Sequence, residues 1–207
     1  MKKIEALKII RQCALKYNER YLDKNLLFVF GTESDPECFE AVFQRNNFLH
    51  LTGVKPSKNN SSYSFYNKAV NNMLTLSDFE FDENGLAKLK LEILNRLLDL
   101  DRSANMVGVL NSIRPLLITE KLVGNIYCCM GFVKYSENKA FYVPNTALKE
   151  DTRNITVHPQ KRVLTVLKKN IKDELYKTIS YTAKNTDFKN ISFNCTIKSK
   201  ISNDLFT

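Results

Sequence analysis

The sequence predicts an α+β fold, helical in its first half and strand-rich in its second. Three observations carry that expectation. Apolar residues recur at three- and four-residue spacing in residues 1–25 and again in 86–100, the period of an amphipathic helix. From Asn105 onward the pattern changes to short runs of β-branched and aromatic residues separated by polar breaks. No internal repeat and no glycine- or proline-rich linker interrupts the 207 residues. The chain reads as a single domain over 1–207, with 1–25 an N-terminal helix and 184–207 a C-terminal extension.

The first helix is marked by Ile4, Leu7, Ile10, Ala14, Tyr17 and Tyr21, and should end near Asp23-Lys24-Asn25. Leu26–Thr32 reads as a buried strand, followed by a turn at Ser34-Asp35-Pro36-Glu37. Phe39, Ala41 and Phe43 alternate with Cys38, Glu40 and Val42, which predicts an antiparallel partner strand. Ser61 or Ser62 should cap a helix through Phe65, Ala69, Val70 and Met73, and Ser77 with Glu80 forms a second cap candidate. Leu86, Leu89, Ile93, Leu97 and Leu100 define a further helix, widened by Leu91, Leu94 and Leu98. Strands are then expected in Met106–Asn111, Leu116–Gly124, Asn125–Tyr135 and Lys139–Val143, with Ser136-Glu137-Asn138 as a hairpin tip. Gln160–Lys169 and Glu174–Ala183 look like further strands, and Asp187–Thr207 like a strand with a frayed tail.

Composition removes several function classes. With 6 glycines, no G-x-G-x-x-G or G-x-x-x-x-G-K-[ST] string is present, so a dinucleotide fingerprint and a P-loop are excluded. Two histidines, His50 and His158, cannot make H-E-x-x-H. The five cysteines include no C-x-x-C pair, and the adjacent Cys128 and Cys129 point to opposite faces of a strand, so neither a zinc site nor a cofactor is expected. Five reduced, mostly buried thiols fit a cytoplasmic protein. The N-terminus runs into a charged helix rather than a signal region, and an apolar run such as Leu26–Phe30 is far too short for a bilayer, so neither export nor a membrane is expected. The 31 basic against 22 acidic residues give a net charge of +9, concentrated in residues 160–207, which hold 10 basic and 4 acidic groups. Such a segment suits a polyanion, because each neutralised phosphate releases a counterion. It equally suits a lysine-rich solvated surface.

Three stretches hold candidate chemistry. His50, in Phe48-Leu49-His50-Leu51-Thr52-Gly53, sets an imidazole beside a hydroxyl, as general acid–base chemistry needs; a hydrogen-bonded packing histidine is the other reading. His158, before Pro159, reads as part of a surface turn. Tyr142–Arg153 leaves a strand through Pro144 into amide, hydroxyl and cationic groups fit to hold a phosphate, or simply into a capped turn in which Asn145 or Thr146 caps one helical turn. Lys121, in Thr119–Asn125, stands at a strand edge from which it either enters a site or remains in solvent.

The strings Asn47-Phe48-Leu49-His50-Leu51-Thr52-Gly53, Glu120-Lys121-Leu122-Val123-Gly124-Asn125 and Tyr142-Val143-Pro144-Asn145-Thr146-Ala147-Leu148-Lys149-Glu150-Asp151-Thr152-Arg153 resemble the phage-associated branch of the Barnase–EndoU–colicin–RelE-like nuclease superfamily. The likeness runs from about Leu26 to Tyr181. It implies N-terminal helices packed on a curved antiparallel sheet of about four strands. It also implies metal-independent cleavage of RNA in the host cytoplasm, in which the 2′-oxygen attacks the adjacent phosphate. On that resemblance His50 would be general base or acid, and Lys121 or Lys149 would stabilise the phosphorane. Thr52, Asn145 and Thr146 would donate hydrogen bonds and Tyr66 or Tyr142 would stack on a base, with Arg153 and Arg162 completing the substrate-binding set. The alternative is a non-catalytic phage inhibitor on the same fold, such as an anti-CRISPR protein, whose partner is a host defence protein. A small-molecule enzyme ranks last, for want of a cofactor motif.

Overall fold

The computed structural model describes residues 1–111, 119–136 and 140–207. Helix α1 spans Lys3–Arg20 and buries Leu7, Ile10, Ala14 and Tyr17. The chain then forms β1 (Lys24–Gly31) and returns as β2 (Pro36–Val42), the antiparallel hairpin that the alternation predicts. Next come α2 (Asn47–Thr52), the two-residue strand β3 (Lys55–Pro56), α3 (Ser62–Val70), β4 (Phe79–Glu80), α4 (Leu86–Leu97) and α5 (Leu100–Ser103). The second half supplies β5 (Met106–Gly108), β6 (Lys121–Gly124), β7 (Cys129–Lys134), β8 (Phe141–Leu148), α6 (Thr152–Ile155), β9 (Lys161–Asn170), β10 (Thr178–Thr182) and α7 (Cys195–Lys198).

Eight strands form one sheet in the order β1-β2-β8-β7-β6-β5-β9-β10, and β9 also pairs back on β1 from Lys24↔Asn170 to Phe30↔Val163. The sheet therefore closes into a ring, with β10 attached to β9 outside it. It is larger than the implied four strands, and among the strand pairings of the described residues only β2 with β8 is parallel. Phe28, Phe30, Phe39 and Phe132 on its concave side join the apolar faces of α1–α4 in the main core. Phe28 stacks on Phe39 at 5.1 Å, and Phe132 meets both edge-on. The outer face of β1 and β9 (Leu27, Val29, Leu164 and Leu167) is covered by Phe188, Ile191, Ile197 and Ile201.

That cover corrects the strand expected in 187–207. Side chains of Asp187, Asn194 and Ser202 accept hydrogen bonds from Lys189, Ile197 and Asp204 backbone N–H groups, and so cut the segment into α7 and two single 3₁₀ turns. Ser61 caps α3 as expected, but the helix ends at Val70 and leaves Met73 exposed. The second cap is Thr75 with Asp78, not Ser77 with Glu80. In α4 the buried face is Ala87, Leu91, Ile93, Leu94 and Leu97, whereas Leu86 and Leu89 are 53% and 46% exposed. The predicted pairing of β7 with β8 is present, and its tip, Glu137 and Asn138, lies outside the described residues. So does the start of the strand expected in 116–124. β8 runs on through Pro144, which sits at a bulge where its missing N–H disrupts no regular ladder, so Asn145 and Thr146 are strand residues and the helical turn is α6, capped by Asp151. All five cysteines are free, and Cys128 and Cys129 enter different apolar clusters, as adjacent residues on opposite faces must. Among the described residues no helix is long and apolar enough to cross a membrane.

Candidate functional site

One edge of the ring carries a cleft of about 360 Å³, where β1 ends, β2 and β9 begin, β5 leaves the sheet and β6 starts. Its apolar lining comes from Phe30, Val107, Val109 and Val157, and its polar groups are Glu37, Lys121, His158 and Lys161. Strand register explains the convergence. Phe30 pairs with Glu37 on one side of β1 and with Val163 on the other, so the starts of β2 and β9 flank one point. Lys121 pairs with the core residue Phe132 and lies two residues before the core residue Val123, which places it on the concave face. The Glu37 carboxylate accepts a hydrogen bond from the Lys161 ammonium, in an ion pair with about half of each side chain exposed. An exposed pair of this kind is worth about 0–1 kcal/mol, so an entering phosphate can take Lys161 at little cost. The neighbouring surface past Glu37, Pro159 and Lys161 continues to Arg162, Glu33 and Asp35.

Of the catalytic candidates read from the sequence, this cleft holds Lys121 alone. His50 is exposed on α2; Gly53, at φ +70, ends that helix, and the Lys90 ammonium donates to the His50 carbonyl. Partial desolvation and then the Lys90 charge lower the His50 pKa, which favours neutral imidazole. Lys149 is paired with Glu92 of α4 at 2.6 Å. Arg153 forms a two-pronged pair with Asp151, and Arg162 donates to the Lys184 carbonyl.

The substrate-binding candidates are similarly dispersed. Thr52 is buried and donates to the Leu49 carbonyl. Tyr66 is a core residue whose hydroxyl donates to Asn18, and burial pushes its pKa up to about 12. Tyr142 packs edge-on to Phe39, and burial and then Glu120 raise its pKa. Asn145 accepts from Thr119 at 3.0 Å, and Thr146 is buried beside Gly131, where a Cβ would stand 2.6 Å from the threonine methyl. The basic residues of β9 form no single stripe. Lys161 borders the cleft, whereas Lys168 is drawn against the buried Asp101.

Glu37 and His158 were not legible as site residues: the sequence around Glu37 reads as a turn although it lies at the start of β2, and His158 stands in the turn before β9. Only the pairing of β1 with both β2 and β9 brings the two together. Among the described residues no group of three or more His, Cys, Asp or Glu is arranged to hold a metal ion. A family model described as "phage-Barnase-EndoU-ColicinE5/D-RelE like nuclease4" matches residues 9–185. That span contains every strand and ends before the C-terminal cover. No curated protein and no solved structure matches the chain.

Proposed function

The chain belongs to the phage Barnase–EndoU–colicin E5/D–RelE-like nuclease 4 family, and from that premise we propose that it cleaves RNA by 2′-hydroxyl attack, without a metal, in the cleft of Glu37, Lys121, His158 and Lys161. The observation that supports this reading is the meeting of a carboxylate, an imidazole and two ammonium groups over an apolar floor. Glu37 takes the proton of the ribose 2′-hydroxyl, and the 2′-oxygen attacks the adjacent phosphorus. His158 returns a proton to the departing 5′-oxygen, leaving a 2′,3′-cyclic phosphate and a 5′-hydroxyl. Lys121 and Lys161 hold the charge that grows on the phosphorane oxygens. The apolar lining, Phe30, Val107 and Val109, receives the base.

The test is a gel assay with purified protein and single-stranded RNA, with and without EDTA. Wild type should give cyclic-phosphate ends at the same rate in both. His158→Ala, on an exposed turn, should lower the rate about 10²–10⁴-fold, the usual worth of positioned acid–base catalysis. A folded His158→Ala/Glu37→Gln protein that cleaves at the wild-type rate refutes the site. Activity abolished by EDTA and restored by Mg²⁺ refutes the chemistry. Intact RNA with wild-type protein refutes the function.

A further inference from the structure

At the other end of β1 and β9 the surface holds a second, unassigned groove. One part, of about 330 Å³, is lined by Lys24, Asn25, Val42, Tyr135, Phe141 and Lys169. A second part, of about 550 Å³, shares Phe43, Gln44 and Ile171 with the first and extends to Arg45 and Tyr63. Phe30 lines the cleft and Asn25 the groove, so five residue steps along β1 separate them, about 17 Å at strand rise.

Two independent features point to a ligand. Aromatic and cationic side chains line the groove together: Tyr63 is 52% exposed with the Arg45 guanidinium 5.3 Å from its ring centre, and Tyr135 and Phe141 share the other part with Lys24 and Lys169. Among the described residues that line it, three cations face one carboxylate, Asp23. In the free protein Lys24 and Lys169 donate to the Glu19 and Glu174 carbonyls, contacts that a phosphate can replace. The second feature is Asn25. It is 5% exposed, borders the groove, and its amide oxygen has no hydrogen-bond partner among the described residues. A buried acceptor left unpaired is costly, and a donor from a ligand removes that cost.

We propose that this groove is a second binding site for single-stranded RNA, separate from the cleft. Bases stack on Tyr63 and Tyr135, phosphates lie against Lys24, Arg45 and Lys169, and the Asn25 amide turns its oxygen toward the groove to accept from a base amino group. Rings spaced among cations are the combination that holds unpaired strands without demanding a sequence.

The experiment measures binding, not cleavage, so it stands apart from the fate of the proposed reaction. The probe is a fluorescein-labelled 12-nucleotide RNA carrying 2′-O-methyl groups, which cannot undergo 2′-hydroxyl attack. Tyr63→Ala/Tyr135→Ala should weaken its affinity at least about tenfold, because two stacked bases are lost together. Arg45→Gln should reduce the slope of log affinity against log salt by about one. Asn25→Leu should weaken binding without lowering the melting temperature, a pairing that a purely structural asparagine would not show. His158→Ala, in the cleft, should leave a substantial part of the affinity. Wild-type affinity in the folded double-tyrosine variant overturns the proposal. So does a protein partner that the groove variants release while RNA binding stays unchanged.

Discussion

Replacing Asp101 by asparagine removes one charge from the point where the helices meet the ring. Asp101 is 0% exposed; its carboxylate accepts from Lys168 at 2.7 Å, from the Arg20 guanidinium and from the Tyr21 hydroxyl at 3.2 Å. It thereby ties α1 to β9 through α5. Two charge-assisted bonds at about 1.5–3 kcal/mol each set a ceiling of roughly 3–6 kcal/mol. Arg20 retains Asp99, so its loss is partial, whereas Lys168 loses its partner carboxylate. Breaking one side of a buried pair costs about 3–5 kcal/mol, and the retained Asp99 contact brings the expectation to about 3–4 kcal/mol. That corresponds to a fall in melting temperature of about 10 °C for a chain of this size.

The assay is urea denaturation with linear extrapolation, with Glu92→Gln as a surface control that should leave the midpoint unmoved. A second signature is pH. Burial lowers the Lys168 pKa, and Asp101 opposes that while Arg20 and Lys24 add to it, so removing Asp101 lowers it further. Between that lowered value and the ordinary lysine range near ~10.4, the unfolded chain binds more protons than the folded one, and stability rises with pH. The deficit of Asp101→Asn relative to wild type should therefore narrow as pH rises into that window. A deficit below about 1 kcal/mol, or one that widens with alkali, refutes the argument that Asp101 compensates a buried cation.

Asp78 accepts from Asn60 at 2.8 Å, Lys68 at 2.7 Å and the Thr75 N–H at 2.6 Å, so Asp78→Ala should cost about 2–3 kcal/mol in the same urea assay. Burial raises its pKa, but the bonds from Lys68, Asn60 and Thr75 outweigh that and depress it; this stability is complete above the unfolded carboxylate range near ~3.9 and lost as pH falls through the folded value, so Asp78→Asn should flatten acid unfolding. His50→Ala should cleave RNA within about twofold of wild type, since His50 does not line the cleft; a folded His50→Ala protein slowed by the 10²-fold or more of a lost acid–base group would return the chemistry to α2.

Local patterns carried the hairpin and α1 because their information is local: alternation over seven residues, a helical period over eighteen. The leucines of α4 show where period alone fails. Leucine occurs around the whole helix, and packing against α1 and α2, not the spacing, decides that Leu91 is buried and Leu89 exposed. The parallel contact of β2 with β8 and the return of β9 to β1 join residues more than a hundred positions apart, and no turn residue marks them. Lys121 could be singled out because it opens a strand. Glu37 and His158 could not, because both read as turn residues in the sequence and only the pairing of β1 with β2 and β9 brings them together.

One sequence feature did constrain where chemistry can lie. Leu26–Phe30 is apolar without alternation, the mark of a strand buried on both faces. The structure meets that demand with α1–α4 on one side of β1 and the segment from Phe188 to Ile201 on the other. A strand covered on both faces offers ligands only its ends. The cleft with Phe30 and Glu37 stands at one end of β1, and the groove with Lys24 and Asn25 at the other. Each gathers polar side chains for the same reason: there the hydrophobic layers stop, and charged groups from β2, β6 and β9 can converge without being buried between them.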